Sequence, residues 1–249
     1  MEQMITIKEP VSSVTFPGFL IAPTGNATYP ALILIHEIWG LNDHIKDVAK
    51  RYAKEGYLVF APDLFAGTPI ENCVSPELFA EMRDPAKRDE AQKKMRKALA
   101  PMQSPEFAKD MIQKLQACFA YLEEHKNSTK KIGVLGFCFG GTYCYTLATE
   151  QPNLQAAVPF YGHAPEPLEK LKTISCPVLA FYGEQDTGLV SALPELKEAM
   201  KTYHIDFEAV VYSNCGHAFF NDTNKHMYNK AAATDSWKKS IAFLAQNLT

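Results

Sequence analysis

Three residue types that can share a nucleophilic reaction occur in this chain in a telling order: a cysteine between glycines, then an aspartate, then a histidine. The cysteine is the centre of Gly136-Phe137-Cys138-Phe139-Gly140-Gly141. The apolar residues before it read as a strand and those after it as a helix, which is the setting of a strained strand-to-helix turn that exposes a nucleophile. Small flanking residues suit such a turn, because strand and helix must approach closely around it. The first amides of the helix would also face the pocket, where they favour an anion. A buried structural cysteine beside packing glycines gives the same pattern, so the motif alone divides the two readings about evenly.

The downstream residues shift that balance. Residues 178–182 form an apolar run ending in Gly183-Glu184-Gln185-Asp186, which places acids just past the carboxyl end of a strand, where α/β sites gather. Asp186 is the favoured partner acid, with Glu184 as the competitor and a turn or helix cap as the alternative role. After a further strand comes Asn214-Cys215-Gly216-His217-Ala218-Phe219. His217 completes the order nucleophile, acid, histidine, which the other six histidines do not.

The elements that must position these residues follow from periodicity. Short apolar runs at 31–35, 57–61, 131–135, 156–160, 178–182 and 207–212 alternate with helical patterns, the signature of a mostly parallel sheet with helices on both faces. Helical spacing is clear in Ile45, Val48, Ala49, Tyr52 and Ala53, with Gly56 as the stop, in Phe107, Met111, Leu115, Cys118 and Leu122, and in Trp237, Ile241, Leu244 and Leu248. Residues 4–8 and 19–22 suit an antiparallel edge hairpin. Residues 68–105, with several prolines around a charged helical stretch, read as an excursion over the sheet edge.

The 249 residues are 47% hydrophobic, enough for one large core, and the whole of 1–249 reads as a single α/β domain. A formal charge of −3 offers no footprint for nucleic acid. No segment is long and apolar enough for a membrane span, and the N-terminus lacks a secretory pattern. A soluble cytoplasmic protein is therefore expected, with most of the six cysteines serving as small buried hydrophobes. His36-Glu37-Ile38-Trp39-Gly40 lacks the second histidine of a zinc-protease motif, and no lysine follows Gly140-Gly141 as a phosphate loop requires. Neither metal nor cofactor is expected.

Taken together, His36-Glu37-Ile38-Trp39-Gly40-Leu41, Gly136-Phe137-Cys138-Phe139-Gly140-Gly141, Gly183-Glu184-Gln185-Asp186 and Gly216-His217-Ala218-Phe219-Phe220 resemble the dienelactone hydrolase family in content and order, from about Phe19 to the last helix. The resemblance implies an α/β-hydrolase fold, a triad of Cys138, Asp186 and His217, and contact of Glu37 with the resting thiol. It also implies a two-amide oxyanion hole, by position the amides of Ile38 and Phe139. The implied reaction is cleavage of an activated ester or lactone through a cysteine acyl-enzyme.

Members that act on dienelactone hold its carboxylate with arginines, one from the excursion and one shortly after the histidine. Arg88 or Arg83 is available for the first. The second position is Asn221, followed by Asp222, which replaces a charge-assisted pair with at best a neutral bond. Trp39, Phe139, Tyr161 and Phe219 are candidates for an apolar pocket, although aromatics beside strand ends also serve as ordinary core. A broader carboxylesterase, thioesterase or acyltransferase, and a non-catalytic binding homologue, remain the alternatives. The oligomeric state is not legible.

Overall fold

The computed structural model describes residues 2–9, 14–25, 27–71, 73, 77–78, 81, 84 and 86–248. The run at 31–35 is fully buried, as a strand covered on both faces must be. It belongs to β3 (Tyr29–Ile35), which lies at the middle of an eight-stranded sheet. The others are β1 (Glu2–Lys8), β2 (Thr15–Ile21), β4 (Leu58–Pro62), β5 (Ser128–Phe137), β6 (Ala156–Phe160), β7 (Val178–Gly183) and β8 (Phe207–Tyr212).

The spatial order is β1-β2-β4-β3-β5-β6-β7-β8. β1 and β2 form the expected antiparallel edge hairpin, and β2 also runs antiparallel to β4; every pairing from β4 to β8 is parallel. β3 and β5 lie side by side, pairing from Ala31↔Ile132 to Ile35↔Gly136. The strand after β3 lies on one side of this pair and the strand after β5 on the other. Their exit loops therefore part at the carboxyl ends, which opens the crevice where open α/β sheets hold ligands.

The helices are α1 (Asp43–Lys54), α2 (Arg88–Leu99), α3 (Pro105–Glu124), α4 (Phe139–Glu150), α5 (Thr187–Thr202) and α6 (Lys230–Asn247). Local chemistry marks their starts: Asn42 caps α1, Ser104 caps α3 ahead of Pro105, and Asn229 caps α6, each side chain accepting an otherwise unpaired amide. α1 and α6 share one face of the sheet, where the Tyr52 and Trp237 rings lie 4.4 Å apart and the Tyr52 and Ser240 hydroxyls bond at 2.9 Å. α3 and α4 pack against each other on their own stretch of the sheet. α5 carries Pro194 inside it and has no counterpart in the sequence reading.

Four cysteines, 118, 144, 176 and 215, are buried thiols, whereas Cys73 is exposed. One charged group is also in the core. Lys114 of α3 is 1% exposed, and its ammonium donates to Leu64 O and Ala66 O at 3.0 Å each and pairs with Asp110 at 3.0 Å. Its donors are matched to acceptors, as burial of a charge requires, and the match fixes the loop after β4.

Candidate active site

β5 ends at Phe137 and α4 begins at Phe139, so Cys138 alone carries the reversal between them. Its φ of 57° and ψ of −112° are a left-handed strain that persists only where neighbours impose it. Cys138 N donates to Phe160 O at 3.0 Å, and Thr142 N donates to Cys138 O at 3.1 Å. The glycines next to it leave room for backbone. A methyl on Gly140 would sit 2.3 Å from Ile35 O, and one on Gly141 would sit 2.3 Å from Phe160 O. The first turn of α4 is thus pressed onto the ends of β3 and β6.

Two opposed influences act on the thiol. The amides of Phe139 and Ile38 face the sulfur and favour its thiolate, but burial, with the added charge of Glu37, pushes the thiol up to about 12. The helix end is outweighed, and the resting group is a neutral thiol.

The loop after β3 supplies Ile38, and a residue that sequence reading passed over holds it. His36 is fully buried. Leu64 N donates to its Nε2 at 3.1 Å, so the proton is on Nδ1, which donates to Glu37 O at 2.6 Å. Burial lowers its pKa to about 4, so the ring stays neutral and the tautomer is kept. Its ring stacks on Phe139 at 5.8 Å and meets Phe65 edge-on at 4.6 Å. One imidazole therefore ties the β3 loop, the β4 loop and the head of α4. The signal was present, a histidine at the end of an apolar strand, but its partners come from loops remote in sequence.

Glu37 is 1% exposed. Its Oε2 accepts from Asn221 Nδ2 at 2.7 Å. The Tyr161 hydroxyl is buried with no hydrogen-bond partner of ordinary geometry, yet acts on the carboxylate. Burial raises Glu37 to about 7, against the lowering effects of Asn221 and Tyr161.

Asp186 occupies the cap position of α5, but its side chain caps nothing there. Its Oδ2 instead bonds His217 Nδ1 from the loop after β8. Glu184, the competing acid, accepts from Asn214 N at 2.9 Å and so braces that loop. Cys138 and His217 line one cavity of about 500 Å³, with Ile38, Phe139 and Tyr161.

Cys138 at the turn, an imidazole bonded to a carboxylate and the amides of Ile38 and Phe139 come from the four segments whose motifs resemble the dienelactone hydrolase family. The model of the dienelactone hydrolase family matches residues 16–248. The chain belongs to the dienelactone hydrolase family. A relative from Saccharolobus solfataricus, provisionally named a carboxymethylenebutenolidase, is 35% identical over 86% of this chain and 88% of its own. Protein usf of Aquifex pyrophilus is 30% identical over 100% of both. Among solved structures, one from Klebsiella pneumoniae, provisionally titled a dienelactone hydrolase, superposes with a TM-score of 0.79 at 25% identity over 99% of each chain. This family member has the α/β-hydrolase fold and is a dienelactone hydrolase-like hydrolase.

The residues considered for substrate binding in this family member do not all meet at the cavity. Phe139 and Tyr161 line it, whereas Trp39, Arg88, Phe219 and Asn221 are not among its lining residues. Arg88 is exposed at the start of α2. Phe219 is fully buried against Tyr161 and Tyr212. Asn221 is 5% exposed; its Oδ1 accepts from Thr223 N and Oγ1 while its amide holds Glu37. Asp222 pairs with Arg51 of α1 at 2.6 Å. Arg83 lies outside the described residues. Among the described residues, Lys170 is the only lysine or arginine lining the cavity. No helix among them is long and apolar enough to cross a membrane.

Proposed function

We propose that this hydrolase cleaves an activated ester or lactone through an acyl-enzyme on Cys138, with His217 as base and acid and Asp186 as its orienting carboxylate. The observation that carries this reading is the His217–Asp186 hydrogen bond at a cavity that Cys138 also lines. With Nδ1 committed to Asp186, Nε2 is the nitrogen left to take the thiol proton. The sulfur attacks the carbonyl carbon, and its proton passes to His217. The oxyanion forms against the amides of Ile38 and Phe139. Collapse expels the leaving oxygen, which takes the proton from His217 and leaves a thioester. Water, deprotonated by His217, then releases the acid and restores the thiol.

The nucleophile selects the substrate. A thiol of pKa near 8.5 in water leaves a tetrahedral intermediate more easily than a simple alkoxide. Collapse backwards therefore competes unless the other leaving group is itself stabilised, as in enol esters, enol lactones and aryl esters. Simple alkyl esters should be turned over much more slowly than aryl esters of the same acid. A panel of enol lactones and aryl, alkyl and thioesters checks this, with Cys138→Ala expected to lose at least about a thousandfold in rate. A retained rate in Cys138→Ala removes the nucleophile assignment, and rates highest on simple alkyl esters remove the leaving-group argument.

A further inference from the structure

The cavity at Cys138 is elongated, and its floor is one face of a single helix. Phe139, Thr142, Tyr143, Thr146, Thr149 and Glu150 all line it. They recur at i, i+3, i+4, i+7, i+10 and i+11, which is one stripe of α4. At 1.5 Å per residue that stripe is ~16 Å long, so the cavity runs from the nucleophile to the far end of the helix. Met102 and, from α3, Ala108 and Ile112 form one wall.

Two threonines of the floor, Thr146 and Thr149, look polar but have little to offer a polar ligand. Thr146 Oγ1 donates to Thr142 O at 3.1 Å, Thr149 Oγ1 donates to Thr146 O at 2.7 Å, and Thr142 Oγ1 accepts from His163 N at 3.0 Å. A hydroxyl bonded back to its own helix presents chiefly its methyl to a ligand. Charge gathers at the distal end, where Glu150, Glu166 and Lys170 line the cavity. Thr173 Oγ1 lies 2.7 Å from Thr149 O and 2.9 Å from Lys170 O, which fixes the Lys170 segment beside the end of α4.

We propose that this groove along α4 is an acyl-chain subsite, filled by the neutral, unbranched acyl chain of the ester whose carbonyl Cys138 attacks. The inference rests on Cys138 being the nucleophile. The leaving oxygen has to face His217 to be protonated, so the acyl chain departs on the other side, along α4. An extended chain advances ~3.4 Å per three bonds. The groove therefore accepts about a dozen carbons before the chain reaches the charged end. Among the described residues, a carboxylate close to the ester would find no lysine or arginine in the near part of the groove, where the hydroxyls of Thr146 and Thr149 already donate to their own helix.

The test is a series of p-nitrophenyl esters from acetyl to dodecanoyl, with the full chain as wild type, Thr146→Phe, Ile112→Trp and Cys138→Ala. Thr146→Phe fills the groove from the floor and Ile112→Trp from the wall, so one remains informative if the other does not fold. In wild type kcat/KM should rise about twofold per added methylene, roughly a hundredfold or more from acetyl to decanoyl. The decanoyl-to-acetyl ratio should fall at least tenfold in each filled variant. The hydrogen succinate ester should react at least tenfold more slowly than the butyryl ester. A flat wild-type series that still depends on Cys138, a ratio preserved in both filled variants, or a succinate ester faster than the butyryl one overturns the acyl groove alone. Hydrolysis retained in Cys138→Ala instead overturns the nucleophile on which it rests.

Discussion

Glu37 is an acid buried without a cation. Its partners are the neutral amide of Asn221 and the Tyr161 hydroxyl, so the cost of burial is only partly offset and its pKa stands at about 7 against an ordinary 4.5. Between those pH values the folded protein keeps a proton that the unfolded chain has released. The contribution of Glu37 to stability therefore falls as pH rises from about 4.5 to 7, by an amount on the order of 3 kcal/mol. His36, whose pKa is lowered to about 4, acts in the opposite sense over nearly the same window, so urea midpoints should climb more steeply with pH in Glu37→Gln than in wild type. The same carboxylate raises the Cys138 thiol. Removing its charge should lower the thiol pKa by about one pH unit, so Glu37→Gln should be alkylated faster than wild type at pH 9. Iodoacetamide labelling followed by mass spectrometry reads this directly, and an unchanged pH profile would show that Glu37 has no hold on the thiol.

At the scale of elements, the site depends on how closely α4 lies against the sheet. Gly141 faces Phe160 O and the backbone of Gly162, where a Cβ would approach within 2.3 Å and 2.9 Å. Backbone cannot step aside as a flexible side chain can. Gly141→Ala should cost about 3 kcal/mol or more of stability and, by tilting the head of α4, should lower kcat more than it raises KM. Denaturant melts and steady-state rates measured together separate the two effects. The elements themselves were legible where one principle dominates. The runs at 156–160 and 207–212 match β6 and β8 at both ends: β6 is apolar along its length, as a strand buried in a parallel sheet has to be, whereas β8, with Glu208 in it, is a half-buried edge strand. α5 was not legible: Pro194 interrupts its pattern, and tertiary packing overrides that local penalty. The roles of His36, Lys114 and Asn221 were hidden for another reason. Each is set by partners 28 to 184 residues away in the chain, and no local pattern records such a distance.

Across the whole molecule, the groups proposed for catalysis are unequally supported. Cys138 follows a strand paired on both sides, between β3 and β6, and almost wholly buried from Ile132 onward. His217 follows β8, an edge strand bonded only to β7, half-buried along its length, with Val211 38% exposed. Local opening free energies are lowest where burial is least. The edge that carries the base should open below the temperature at which the central strands separate. On heating, esterase activity should be lost several degrees before far-UV circular dichroism changes, and should return on cooling from that interval. Hydrogen exchange should report fast amides in 207–212 and slow ones in 132–136. Such a protein would have two thermal limits, an operating ceiling set at its margin and a structural ceiling set at its centre. Stabilising substitutions aimed at the core would then raise the second and leave the first where it was.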